Sequence, residues 1–193
     1  MRLVRRAADA VDRMNDRIGG LITWLSLFMI LFGAYNAIAR WLTRLVGFNL
    51  SSNAFNELQW YMFSVIFLLG AAWGLRHDVH VRVDVLYARV GDRGRAWIDL
   101  LGTVFFLLPF CVLMLWVSWP PVARSWQIRE VSPDPGGLPR WPIKGLLIVS
   151  FVLLLLQGLA IVVRQVDALR SGTRPAEPRL APGEVDVRHG EGS

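Results

Sequence analysis

Four apolar blocks, separated by charged stretches, limit what this chain can fold into more than any other feature does. A helix needs about 20 mainly apolar residues to cross roughly 30 Å of hydrocarbon, and each block has close to that length. The blocks are 18–39, 58–75, 97–117 and 145–163, and Asp99 is the one charged residue inside them. Hydrophobic residues make up 54% of the 193, whereas a soluble domain has about 45–50%. The sequence therefore predicts an all-α integral membrane protein with four transmembrane helices. The predicted spans are about 18–39, 55–75, 97–117 and 143–163.

The basic residues are distributed unevenly between the segments that separate the spans. The segment before the first span, the segment between the second and third, and the segment after the fourth hold five each. The other two segments hold two and four. Because cytoplasmic segments carry the excess of Lys and Arg, this pattern predicts that both termini are cytoplasmic. The net charge of +6 is thus interpreted as a topology signal, and a nucleic-acid partner is not expected.

The two ends of the chain differ in composition from the predicted membrane domain, residues 18–170. Residues 1–17 place apolar side chains near one helical face, which is typical of an interfacial amphipathic helix at the cytoplasmic lipid surface. A solvated charged tail is the other interpretation. The first apolar run is longer than the core of a secretory signal, so we expect it to be retained as an anchor. Residues 171–193 are rich in Pro, Gly and charge and predict a disordered cytoplasmic tail.

Several uncharged residues in the spans suggest helix packing. Gly70 and Gly74 form a GxxxG pattern, which lets another helix approach closely. Trp60 lies about one turn into the second span, where an amphipathic ring suits the membrane interface. Gln157 is the one buried amide of the fourth span, and in lipid it needs an interhelical partner.

The stretch RHDVHVRVD, residues 76–84, is the densest charged feature. His77 and His80 could share a helical face and bind a metal, but no second cluster of ligands completes a coordination set. We therefore expect no metal and no cofactor. The alternation of valines with charged residues favours a docking surface at the cytoplasmic boundary, and a solvated loop is the plainer alternative.

Glu57 is an acid at the outer edge of the second span. Its charge would be stabilised by the positive end of the helix, or by a basic or amide group of a partner. The residues leave these two explanations open.

No Asp, Glu, Lys, Arg or His falls in the middle of any predicted span. A carrier places polar or ionisable residues near the bilayer midplane, so this chain is not expected to move a substrate by itself. There is also no phosphate-binding loop and no nucleophile with a nearby base, so no enzyme is indicated. The pattern favours a subunit that packs against a partner.

The order of residues through the second span and the charged stretch resembles a known family. Glu57 is followed by Trp60, by Leu-Gly-Ala-Ala at 69–72, by Leu75-Arg76, and by His-Val-Arg-Val-Asp at 80–84. This order and the four spans resemble the small permease subunit of TRAP transporters (DctQ-like) over roughly residues 20–170. The segment GGLPRWPIK with LLLLQGLA is similar to the subgroup labelled mannitol/chloroaromatic type.

The resemblance implies a function and partners. A small subunit of this kind would brace a large multi-span permease (DctM-like) in the bacterial inner membrane, and a periplasmic binding protein would deliver the substrate, usually an organic acid. Uptake would be driven by an ion gradient rather than by ATP. The resemblance makes candidate interface or fold-locking residues of Glu57, Arg76, His80, Arg82 and Asp84, and the packing signals described above add Trp60, Gly70, Gly74 and Gln157.

Two rival functions stay open on the sequence. One is a membrane anchor of a redox complex, which would need haem-ligating histidines within the spans. The other is a small transporter that works alone.

Overall fold

The computed structural model describes residues 2–47, 52–77 and 90–171, which are helical along most of their length. Four stretches are long and apolar enough to cross a membrane, the third of them running through two helices and a π-helical turn. The prediction of an all-α membrane protein with four spanning helices is therefore confirmed, and the cytoplasmic placement of the termini stays a prediction. The elements are α1 (Arg2–Val46), α2 (Asn53–Arg76), α3 (Asp92–Gly102), the π-helical turn (Thr103–Leu107), α4 (Leu108–Gln127) and α5 (Trp141–Ser171).

Helix α5 is the central element, because it contacts each of the other four helices. Helices α1 and α2 also pack against each other along their length. The buried face of α5 carries mostly small or polar side chains, which allow close packing in lipid. These buried residues are Ser150, Leu153, Gln157, Ala160, Gln165 and Ala168.

Local sequence signals account for the helix ends. Ser52 caps α2 by accepting a hydrogen bond from the Ala54 amide, as its residue type favours. Pro142 lies in the first turn of α5, where its missing N–H costs nothing. Between α4 and α5 the chain turns through left-handed backbone at Arg129 (φ 49°) and Gly136 (φ 73°).

The third spanning segment contains a π-helical turn just before Pro109. The amide of Leu108 donates to the carbonyl of Thr103, five residues back. Pro109 has no N–H and its ring would clash with a carbonyl of the preceding turn, and a wider turn is one way to relieve that clash. Opposite this turn, a Cβ added at Gly158 would lie 3.0 Å from the Leu108 side chain.

Helix α1 has 45 residues and, at about 1.5 Å per residue, is roughly 67 Å long. It is therefore about twice as long as the hydrocarbon layer is thick. The helix passes residue 17 without a break, and its first part packs into the bundle through Ala8, Asp12 and Asn15, which are all buried. The predicted C-terminal tail lies almost entirely outside the described residues.

Candidate functional site

Two polar clusters join the helices, one at each end of the bundle. We name the end at which α2 terminates the inner end, following the predicted orientation, and the opposite end the outer end. The inner cluster consists of Asp12, Asn15, Asp16, Arg76, His77, Gln157 and Arg164. The outer cluster consists of Asn53, Glu57, Tyr61, Ser132, Leu138 and Pro139.

Gln157 is at the centre of the inner cluster and is fully buried. Its Oε1 accepts a hydrogen bond from Asn15 Nδ2 at 2.7 Å, and its Nε2 donates to Asp12 Oδ1 at 3.2 Å. The oxygen and the nitrogen of the side-chain amide are thus both paired across the α1–α5 contact. The interhelical partner that the sequence requires for Gln157 is provided by this chain itself.

Ion pairs surround this amide. Asp12 pairs with Arg164 of α5, and the Nε of Arg76 lies 3.9 Å from Asp12. The Nη1 of Arg76 lies 2.8 Å from an Asp16 carboxylate oxygen. The side chain of Asp12 is 9% exposed and that of Arg76 is 14% exposed. Two carboxylates therefore face two guanidinium groups, which is what a buried charge requires in order to be tolerated.

The centre of the inner cluster, Gln157, is located within the predicted limits of the fourth span, and Arg164 lies one residue beyond them. Gln157 precedes the end of that span, residue 163, by six residues, or about 9 Å of helix. Asp12 and Asn15 contact Gln157 and hence lie at the same depth, although both precede the first apolar block in sequence. By the predicted span limits Asp12 therefore lies below the membrane surface, where ion pairs with Arg164 and Arg76 balance its charge.

Glu57 holds the outer loop against α2. The side chain is 4% exposed and accepts hydrogen bonds from the Ser132 hydroxyl and the Leu138 amide, both in the loop between α4 and α5. The structure provides hydrogen-bond donors for this carboxylate from its own chain, whereas the sequence-based alternative to the helix end was a group of a partner. The donors are a neutral hydroxyl and a backbone amide of the same chain.

Other contacts hold the same loop in place. The Tyr61 hydroxyl donates to the Pro139 carbonyl at 2.8 Å, and Asn53 Nδ2 donates to the Pro135 carbonyl at 3.2 Å. Lys144 Nζ lies 2.5 Å from Glu130, and the hydrogen bond from Lys144 lowers the pKa of the Glu130 carboxyl. The loop is consequently attached to the first turns of both α2 and α5.

The small residues of the second span pack inside the chain. A Cβ added at Gly70 would lie 3.7 Å from the side chain of Ile22 in α1, and Gly74 is buried. Trp60 is 43% exposed and makes an edge contact with Tyr61, with 4.9 Å between ring centroids. This arrangement favours a fold-locking role for the two glycines and leaves Trp60 free to face lipid or a partner.

The structure separates the charged stretch at residues 76–84 into two parts. Arg76 belongs to the inner cluster, and His77 stacks near Trp73 with 4.5 Å between ring centroids. His80, Arg82 and Asp84 lie outside the described residues. Their proposed docking role stays a prediction.

Asp12, Asn15 and Arg164 were missed by sequence reasoning because they flank the apolar blocks. A signal does exist in the spacing of Ala8, Asp12, Asn15 and Gly19, which recur every three or four residues. Such a stripe of small and polar residues is expected to face other helices. Ser132 and Leu138 carry no signal of their own, since a loop backbone amide can bond to any acceptor within reach.

The part of the chain that the structure describes contains no group of three His, Cys, Asp or Glu side chains that could hold a metal ion. The family model of the DctQ component of tripartite ATP-independent periplasmic transporters matches residues 29–168. Neither the curated proteins nor the solved structures contain a match. The matched range includes the outer cluster, together with Arg76, His77, Gln157 and Arg164 of the inner cluster.

Proposed function

The chain belongs to the family of DctQ components of tripartite ATP-independent periplasmic transporters, and on this premise we propose that it braces the large multi-span permease subunit during ion-driven uptake of an organic acid. It is the small subunit of such a transporter, a component of a transport complex rather than an enzyme. The family match carries the proposal.

The two polar clusters support a bracing role. Each cluster joins elements that are distant in sequence: α1, α2 and α5 at the inner end, and α2 with the loop before α5 at the outer end. The bilayer itself provides no hydrophobic force between helices, so directed polar contacts and close packing must hold them. A subunit fixed at both ends would resist bending when its partner moves.

The outward surface of the bundle also suits a subunit that is surrounded by lipid and protein. Leu21 is 70% exposed, Phe106 is 77% exposed and Trp116 is 76% exposed. Such residues need lipid or a partner around them. The protein is a multi-pass membrane protein, and we assign it to the bacterial inner membrane with both termini in the cytoplasm.

Proteoliposomes provide the direct test of the proposed function. A DctM-like large permease would be reconstituted with a periplasmic binding protein, an organic acid and an imposed ion gradient, with and without this chain. We expect uptake only when all components are present. Uptake by the large permease without this chain would contradict the bracing role, and uptake by this chain without the large permease would favour a small transporter that works alone.

The docking role of the charged stretch is tested separately. The variant Asp84→Ala is expected to lower recovery of the large permease in co-purification without changing substrate preference. Asp134→Ala is a matched control, because Asp134 is an exposed acid of the outer loop. A changed substrate preference in Asp84→Ala would argue against a purely structural contact.

A further inference from the structure

A groove between α1 and α2 near the outer end belongs to neither polar cluster. Its volume is about 330 Å³, and it is lined by Met29, Asn56, Gln59, Trp60 and Phe63. Met29 and Phe63 provide the apolar part of the lining. The two amides lie toward the outer end, because Asn56 and Gln59 precede Phe63 in a helix that runs inward.

The outer edge of the groove combines the cation Arg40 with two amides, and the buried Asn36 Oδ1 has no hydrogen-bond partner among the described residues. Asn56 Oδ1 accepts from Asn36 Nδ2 at 2.6 Å and also from the Arg40 guanidinium. With this oxygen occupied twice, the Nδ2 group of Asn56 is left without an acceptor among the described residues. Arg40 has no carboxylate partner among them either, and its guanidinium can donate up to five hydrogen bonds. The guanidinium charge at this edge is thus matched only by a neutral amide oxygen.

The depth of this edge matches a lipid headgroup. Trp60 is partly exposed and lines the groove, and tryptophan rings concentrate at the level where hydrocarbon meets headgroups. Asn56 lies one turn further out, together with Arg40. A guanidinium at this level can bind a phosphate oxygen, and guanidinium–phosphate pairs are among the stronger hydrogen-bonded contacts in proteins.

From this arrangement we propose that the α1–α2 groove binds an anionic phospholipid. The phosphodiester pairs with Arg40 and the free amide of Asn56, and one acyl chain lies over Met29 and Phe63. The charge of Arg40 favours this occupant over an uncharged lipid, since the guanidinium otherwise has only a neutral amide for a partner. The proposal is independent of the transport function.

Native mass spectrometry of the full chain in detergent tests the proposal. Phosphatidylglycerol would be titrated against the wild type, Arg40→Gln, Arg40→Lys and the control Arg44→Gln, which removes an exposed guanidinium one turn further along α1. Diacylglycerol with the same acyl chains tests the need for the phosphate, and glycerol phosphate tests the need for the chains. Loss of a charged hydrogen bond predicts about tenfold weaker binding of phosphatidylglycerol by Arg40→Gln.

The remaining variants and the two control ligands are expected to differ in how tightly they bind. Arg40→Lys keeps the charge and should bind better than Arg40→Gln, Arg44→Gln should bind like the wild type, and neither diacylglycerol nor glycerol phosphate should match phosphatidylglycerol. Equal binding by Arg40→Gln and wild type, or equal weakening by Arg44→Gln, would overturn the proposal. A further test uses the complex of this chain with the large permease. If that complex contained no phosphatidylglycerol and Arg40→Gln reduced recovery of the permease, an acidic helix of the permease would fill the groove. That result would also overturn the proposal.

Discussion

Replacement of Asp12 by leucine isolates the energetic contribution of the inner cluster. The carboxylate of Asp12 pairs with Arg164, is approached by Arg76 and accepts from Gln157. Removing it leaves the Arg164 guanidinium, whose side chain is 29% exposed, with no paired carboxylate in this cluster and with Asp9 as a remaining negative charge; removing one partner of a buried pair costs about 3–5 kcal/mol. Arg76 retains Asp16 at 2.8 Å, so its loss is smaller. We expect Asp12→Leu to lower the free energy of unfolding by about 3–5 kcal/mol.

Arg164→Leu is expected to cost less, about 1.5–3 kcal/mol, which is the usual contribution of a hydrogen bond to a charged group. In this variant Asp12 keeps the Gln157 amide and the nearby Arg76. The double variant removes both members of the Asp12–Arg164 ion pair, so neither charge is left unpaired. Its loss should therefore be smaller than the sum of the two single losses, by about 1–3 kcal/mol.

The measurement is reversible unfolding in mixed detergent micelles, followed by far-UV circular dichroism. The ion pair between Arg5 and Asp167 is a matched control, because it joins the same two helices at 2.6 Å with the Arg5 side chain 60% exposed. An exposed pair contributes about 0–1 kcal/mol, so Arg5→Leu should have little effect. If the losses from Asp12→Leu and Arg164→Leu were simply additive, or if Arg5→Leu cost as much as either, the reasoning about burial would be refuted.

Three further predictions concern packing, the outer loop and pH. A Cβ at Gly19 would lie 2.3 Å from the Trp73 ring, whereas nothing lies within 4 Å of a Cβ at Gly20. Gly19→Leu should therefore lower the free energy of unfolding by about 1–3 kcal/mol, and Gly20→Leu should not. Equal effects in the same unfolding assay would contradict the close contact. Glu57→Gln keeps the shape of the side chain but places an NH₂ group against a donor, so we expect faster proteolysis of the outer loop at unchanged helix content; wild-type cleavage rates would show that the carboxylate is dispensable. The pKa of Glu130 is lowered from 4.5 in the folded protein. Its contribution to stability is therefore present above about pH 4.5 and is lost as the pH falls through the lower pKa of the folded state. Lys144→Gln should weaken this pH dependence in unfolding curves recorded between about pH 5 and 3.

The sequence is enough to predict the four spans, because length and hydropathy alone determine which segments can cross a bilayer. It also shows that Gln157 needs a partner. It does not show which partner, because Asp12 and Asn15 reach that depth only through the packing of α1 against α5.

The partner of Glu57 was beyond prediction for a different reason. Its donors come from the loop between α4 and α5, 75 and 81 residues away in sequence. The position of that loop depends on turn geometry, including the left-handed backbone at Arg129. Turn residues mark where a chain reverses, and they give no information about which distant side chain the loop then meets.

The central position of α5 has a consequence for biosynthesis. Helix α5, which contacts the other described helices, leaves the ribosome after them. Helices α1 and α2 and the third spanning segment are therefore in the bilayer before Gln157 and Arg164 have been synthesised. Until then Asp12 lacks Arg164 and Gln157 and, of its described ion-pair partners, has only Arg76 nearby, which makes an incompletely synthesised chain easy for membrane proteases to recognise. Stable association with another subunit is accordingly expected only after the last helix has been inserted.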